Sequence, residues 1–146
     1  MSVFARARRI VAAAVCAAAL TTAGAAGAQS AAGDAGRIEQ MSAPQAREFT
    51  LVQIRALVAM SRAGSRHGDA QCRAAALRAG ALAGNAIEAV VHADQARDRG
   101  LRAVGTGGPE DPAVQSSYQR VAASTLEARQ SVMKGVNCPD LLAEQR

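Results

Sequence analysis

The chain has 146 residues and a formal net charge of +5, and it is 49% hydrophobic but only 2% aromatic, with no tryptophan. One tyrosine and two phenylalanines leave little with which to stack on sugars or bases, which argues against carbohydrate platforms and single-strand nucleic-acid platforms. No run of five like charges occurs, so a polybasic tether to nucleic acid or to a membrane surface is unsupported.

The first element in chain order is an export signal. Arg6, Arg8 and Arg9 form a positive start, Ile10 to Leu20 is an eleven-residue apolar run, and Ala26-Gly27-Ala28 supplies a small-x-small cleavage pattern. Cleavage is expected between Ala28 and Gln29, giving a signal peptide over 1–28. Adjacent arginines before an alanine-rich run resemble a twin-arginine signal, but Ile10-Val11-Ala12 lacks the Phe-Leu expected after the pair, which favours the general secretory route. Val15 before Cys16 does not suit a lipoprotein signal. Three basic residues and Cys16 leave with the signal. The mature chain then holds fourteen basic and twelve acidic residues, a net of +2, far short of a nucleic-acid binder's basic stripe. The expected location is bacterial, periplasmic or secreted. After cleavage no apolar run reaches the roughly 18–20 residues of a transmembrane helix.

Gln29 to Met41 is small, polar and glycine-bearing, and is read as a flexible N-terminal tail over 29–41. The domain is expected to occupy 42–146.

The first helix starts at Ser42, with Gln45 three residues later as a capping box and Pro44 in the first turn. Phe49, Ile54, Leu57, Val58 and Met60 then share one broad face. Glu48, Arg55, Arg62 and Arg66 lie on the other, the pattern of an amphipathic helix. Gly64 and Gly68 bracket its end.

The second helix takes Asp69 as N-cap and runs through an alanine-rich stretch. Leu77, Ile87, Val90 and Val91 are its expected large anchors, and Gly100 its expected terminator. Gly80 and Gly84, four apart, suggest a seam where a neighbouring helix passes close. Gly105-Thr106-Gly107-Gly108-Pro109 lacks the lysine and hydroxyl residue of a phosphate loop and reads as a turn.

The third helix opens with Asp111 as N-cap and Pro112 in first position. Val114, Tyr118, Val121, Thr125, Ala128 and Val132 step by four and three, a coiled-coil-like seam. Gly135, Asn137 and Pro139 stop it, and Asp140 to Arg146 is expected to add one turn.

These elements predict an all-α fold: a three-helix antiparallel bundle pinned by one disulfide, behind a cleaved signal and a short tail. Cys72 and Cys138 are the expected pair, since an exported domain with two cysteines reads as bridged. Cys72 to Gly100 spans about 42 Å of helix and Pro112 to Cys138 about 39 Å, which brings the two cysteines to the same end of a hairpin. A redox role is less well supported, because no Cys-x-x-Cys occurs.

His67 and His92 are about 35 Å apart along one helix and cannot share a metal within one molecule. Glu88 and His92 share a helix face but offer only two ligands where a closed zinc site needs four. No nucleophile elbow and no clustered acid pair is found. The sequence therefore predicts a non-enzymatic protein, with no cofactor or metal. It is expected to bind or assist another envelope protein, or to self-associate, through an apolar helix face carrying Phe49, Leu57 and Met60. Leu126, Met133 and Val136 add to the apolar surplus. The alternative is a periplasmic carrier holding a ligand or metal between the helices, with Glu88 and His92 as its polar groups.

Overall fold

Alanine dominates the described chain, and alanine has the highest helix propensity of all residues. Helices are accordingly the regular structure of the described residues, and no strand occurs among them. The computed structural model describes residues 33–104, 108, 110–134, 137–139 and 141. Residues 1–28, expected from sequence to be an export signal, and most of the glycine-rich turn lie outside these residues. The chain divides into a unit over residues 1–37 and a unit over 38–146. The described part of the first unit, 33–37, is helical, with Asp34 and Arg37 4.0 Å apart.

In the second unit, helix α1 spans Ala43–Ser65, α2 spans Ala70–Val104 and α3 spans Pro112–Met133. Each packs against the other two. The starts follow the cap chemistry expected of the sequence. The Ser42 N–H donates to Gln45 Oε1 at 2.9 Å. Asp69 Oδ1 accepts from the backbone N–H groups of Gln71 at 2.7 Å and Cys72 at 3.1 Å. Asp111 Oδ1 accepts from the Ala113 N–H at 2.8 Å. Each carboxylate or amide thereby satisfies an otherwise orphan group of a helix terminus.

The core is a row of three clusters along the helices. Leu57, Met60, Ala75, Ala79, Val132 and Leu141 surround Cys72 and Cys138 at one end. Ile54, Ala86 and Val90 fill the middle, with Val121 against them. Ile38, Ala43, Ala46, Ala93, Tyr118 and Ala122 close the other end. The α3 seam is present as expected, with Tyr118, Thr125 and Val132 buried and Val114, Val121 and Ala128 half-buried.

The disulfide joins Cys72 to Cys138, with their Cα atoms 5.8 Å apart. It forms although α2 does not stop at Gly100 but continues to Val104. A glycine in a helix interior costs about 1 kcal/mol against alanine, which is not enough to end a helix. The near-equality of the two expected lengths was therefore not the reason the cysteines meet. What matters is that the start of α2 and the chain after α3 arrive together.

Two further expectations need correction. Residues 39–41 are not a free tail. Ile38 is buried, and the Gln119 side-chain amide donates to the carbonyls of Glu39 at 2.9 Å and Met41 at 2.8 Å. Ile38 and Met41 are too few apolar positions for a period to show in the sequence. The end of α1 at Ser65 falls between Gly64 and Gly68 as expected, and Gly64 is a contact point as well. A Cβ there would lie 2.8 Å from Ala76 Cβ and 2.9 Å from the Cys72 carbonyl oxygen, so only glycine lets α1 approach the start of α2. The second correction concerns α2. Of its four expected anchors, Val90 alone is buried. Leu77 is 74% exposed, Ile87 47% and Val91 45%. The buried face is made of Ala75, Ala76, Ala79, Ala83, Ala86 and Ala93 instead. Small side chains let neighbouring helices come close, and that contact selects the alanine face over the face with larger side chains.

Beyond α3, Pro139 and Leu141 are helical and Leu141 is buried beside the disulfide. Asp140 and residues 142–146, the rest of the expected last turn, lie outside the described residues.

Candidate functional site

Two features stand apart from ordinary core packing: a polar network beside a cavity at the end away from the disulfide, and the outer face of α2.

The network is built on Asp94, nearly three turns before the end of α2 at Val104. Arg47 of α1 donates to it through Nε at 3.0 Å and through Nη2 at 2.9 Å, a two-pronged ion pair. The Tyr118 hydroxyl of α3 donates to Asp94 Oδ1. One carboxylate thus ties all three helices. The Arg47 guanidinium beside Asp94 holds its carboxyl below the usual carboxylate range, with burial opposing and the Tyr118 hydroxyl assisting. Arg47 is held above its ordinary value chiefly by the same hydrogen bond. Burial, and then the hydrogen bond to Asp94, push the Tyr118 hydroxyl up to about 12. A phenol so raised is protonated at neutral pH and is no base or nucleophile there. A carboxylate already engaged by a guanidinium and a hydroxyl is no general base either. The network joins all three helices.

Beside it lies a cavity of about 330 Å³ lined by Pro44, Arg47, Arg97, Leu101, Val114 and Tyr118. Its wall is chiefly apolar, with two guanidinium groups at the edge. Arg97 is paired with its neighbour Asp98 at 2.8 Å, which raises it above its ordinary value. Pockets of about 300–1,000 Å³ with apolar walls and a few polar groups are the usual form of small-molecule sites.

The outer face of α2 is the other feature. Leu77, Gly84 and Val91 are each seven residues apart and therefore share one stripe of the helix, and all three are exposed. Ile87 lies beside them, also exposed. Gly80 and Gly84 differ. A Cβ on Gly80 would stand 2.8 Å from Ser61 Oγ of α1, so the expected seam exists there. Around Gly84 there is open space. By length and composition alone Ala70–Ala103 would suffice to cross a membrane, although no unbroken apolar run in the sequence reaches that length. Only 33% of its most apolar window is buried.

The residues singled out from sequence fare unequally. Cys72 and Cys138 are joined. Leu57 and Met60, expected on a partner-binding face, are fully buried among the disulfide-end residues, and Phe49 is half-buried against the cluster containing Tyr118. None of the three forms the open face of α1 that was expected. An amphipathic helix shows an apolar face in sequence whether the fold or a partner covers it, and here the fold covers it. Leu126 likewise packs against the Tyr118 cluster. The Met133 side chain and Val136 lie outside the described residues. Glu88 and His92 are exposed on α2 and do not point between helices. His67 Nδ1 accepts from the Asp69 N–H at 3.2 Å, in the turn between α1 and α2. No group of three or more His, Cys, Asp or Glu residues capable of holding a metal comes together among the described residues.

Sequence reasoning missed the Asp94 network. Asp94 sits among charged residues, Arg97, Asp98 and Arg99, that in sequence look like any solvated helix end. The available signal was Tyr118 within the α3 seam, because a buried tyrosine hydroxyl requires a polar partner.

Among known proteins, no family model matches this chain, and neither a curated protein nor a solved structure matches it.

Proposed function

We propose that the chain is exported across the bacterial inner membrane, loses residues 1–28, and works in the periplasm or outside the cell as a three-helix antiparallel bundle that binds another envelope protein. The role is non-enzymatic. The bundle reading is supported by the mutual packing of α1, α2 and α3 and by the disulfide between the start of α2 and the chain after α3. Export is supported by the tripartite signal pattern and by a disulfide, which persists in oxidising compartments.

The observation that carries the binding role is the inverted α2. Its larger apolar residues Leu77, Ile87 and Val91 face outward while its alanines face the core. A contiguous apolar face left open on a folded domain is the usual mark of an interaction surface. The partner face is accordingly placed on α2 rather than at Phe49, Leu57 and Met60.

The test has two parts. A mature mass beginning at Gln29, recovered from the periplasm or medium, is expected; an uncut chain in the cytoplasm would end the export reading. Leu77→Asp and Ile87→Asp should abolish stable complexes in the envelope while leaving the helical spectrum unchanged. Complexes that survive both substitutions would remove α2 from the role.

A second reading, a carrier of a small molecule, is favoured by the cavity at Arg47, Arg97 and Tyr118. Its polar groups would be these three and not Glu88 and His92. Native mass spectrometry on exported protein separates the readings, since a carrier retains extra mass that denaturation releases.

A further inference from the structure

We propose that the outer face of α2 pairs with the same face of a second copy, antiparallel, about a two-fold axis that passes at Gly84. The proposal rests on the partner-binding reading of α2 and names the partner.

The first argument is the symmetry of the residues about Gly84. Leu77 lies seven positions before it and Val91 seven after, on one exposed stripe. In an antiparallel pair centred on Gly84, Leu77 of each copy falls opposite Val91 of the other, and Gly84 falls opposite its own mate. A closed two-fold contact requires this self-complementarity: if one residue meets a second, the second must meet the first.

The second argument is room. The Cβ position of Gly84 meets no atom within 4 Å, so the centre of the stripe is open. A glycine at a crossing point lets two helix backbones approach more closely than the 8–10 Å usual for larger side chains. A partner helix with a large residue at its own centre could not use that space. A second α2 brings another glycine.

The third argument is charge. By the rotation of about 100° per residue, Glu88 lies about 40° and Arg78 about 120° round the helix from Gly84, both to the same side, so Glu88 borders the stripe and the long Arg78 side chain has to reach back towards it. A two-fold axis perpendicular to both helices, lying in the contact plane, sets each flank against the same flank of the mate. Arg78 lies six residues before Gly84, about 9 Å along the axis, and Glu88 four after, about 6 Å. Arg78 of one copy therefore comes within about 3 Å, along the axis, of Glu88 of the other. The arrangement occurs twice by symmetry. Both residues are exposed, and neither makes an ion pair within the chain among those described. A parallel pair would carry the flank holding both residues to opposite sides of the contact, where neither charge meets the mate's, so the attraction is available only to the antiparallel orientation.

Three large apolar side chains per copy make a contact smaller than the roughly 1,200–2,000 Å² of a standard stable interface, so the pair is a concentration-dependent dimer. Cross-linking is the suitable measurement. In Gly84→Cys the new thiols of the two copies face each other across the axis. Ala123→Cys, on the exposed face of α3, provides the rate of random collision. Oxidation of the purified proteins should join Gly84→Cys at least tenfold faster than Ala123→Cys. Arg78→Glu or Glu88→Arg, each added alone to Gly84→Cys, should slow the joining severalfold, and the two together should restore it. Equal rates for the two cysteine positions, or rates indifferent to both single reversals, would overturn the proposal.

A photoreactive residue at position 77 in producing bacteria separates this inference from the reading beneath it. An adduct of two copies of the chain supports both. An adduct with a different protein overturns self-pairing and leaves envelope binding standing. An adduct with no protein overturns both.

Discussion

At one end of the helical unit, Cys72 and Cys138 are bonded among Leu57, Met60, Val132 and Leu141, all buried. At the other, Asp94 holds Arg47 and Tyr118 across three helices next to an apolar cavity. The first end needs no polar partner and leaves no space; even a methyl on Gly64 would collide with backbone. The second end is joined by charge and hydrogen bonds, which are directional and depend on pH, and it keeps a cavity. Alanine-rich helices bury little apolar area per residue, so neither end can be held by side-chain burial alone. The contrast shows two ways of making up a thin core, one covalent and one electrostatic.

The comparison can be broken most forcefully at the disulfide. It closes a loop of 66 residues' separation, worth about 4 kcal/mol in the chain-entropy account. Reduction, or Cys138→Ser, should lower the midpoint of chemical denaturation by the equivalent of that amount, or unfold the domain outright. An unchanged midpoint would mean that the apolar cluster suffices without the bond.

At the opposite end, Asp94→Ala removes the acceptor of both Arg47 and the buried Tyr118 hydroxyl. The expected loss is about 2–3 kcal/mol, because a buried hydroxyl left without a partner adds to the lost ion pair. Asp94→Asn, which keeps an acceptor for Tyr118, should cost less. Equal losses in the two variants would mean that charge, and not the hydroxyl, carries the network.

The same end should show its hand in pH titrations. The Asp94 carboxyl is lowered in the folded state, so its contribution is present above the unfolded value of about 3.9 and is lost as pH falls through the folded value. Tyr118 behaves in the opposite sense. Its contribution is intact below about pH 10 and is lost as pH rises from there towards 12. The alkaline loss should be on the order of 2 kcal/mol and should vanish in Tyr118→Phe. A variant that retains the alkaline limb would place its origin elsewhere.

Gly64→Ala sharpens the account of the disulfide end. Helix propensity alone would make it stabilising by up to about 1 kcal/mol, whereas the backbone contact should make it destabilising by about 1–2 kcal/mol. The sign of the change, read from a thermal melt, decides between them. The smallest effect is expected at Leu77→Ser, which should alter stability by less than about 0.5 kcal/mol because the side chain is exposed in the folded chain.

Much of this architecture was legible from residue types alone. Helix starts at Ser42, Asp69 and Asp111 depend on local hydrogen bonds within three residues of the cap, and the sequence displays them directly. The α3 seam depends on spacing within one helix, and the pairing of Cys72 with Cys138 follows from having two cysteines in a chain read as exported. All are independent of how the helices are arranged in space.

What sequence could not decide was which face of α2 turns inward. Leu77, Ile87 and Val91 on one side and a row of alanines on the other are both compatible with burial by hydrophobicity, and hydrophobicity favoured the larger residues. The choice is made by the distance at which α1 and α3 pass, and the close contacts at Gly64 and Gly80 favour alanine there. The Asp94 network has the same character. Asp94 and Tyr118 are 24 residues apart, and Arg47 and Asp94 47 apart, so no local pattern links them. Local chemistry fixed where helices begin and which residues repeat along them. Packing distance and long-range pairing, which exist only once the helices are assembled, decided what is buried, what is bound to what, and which apolar face is left exposed.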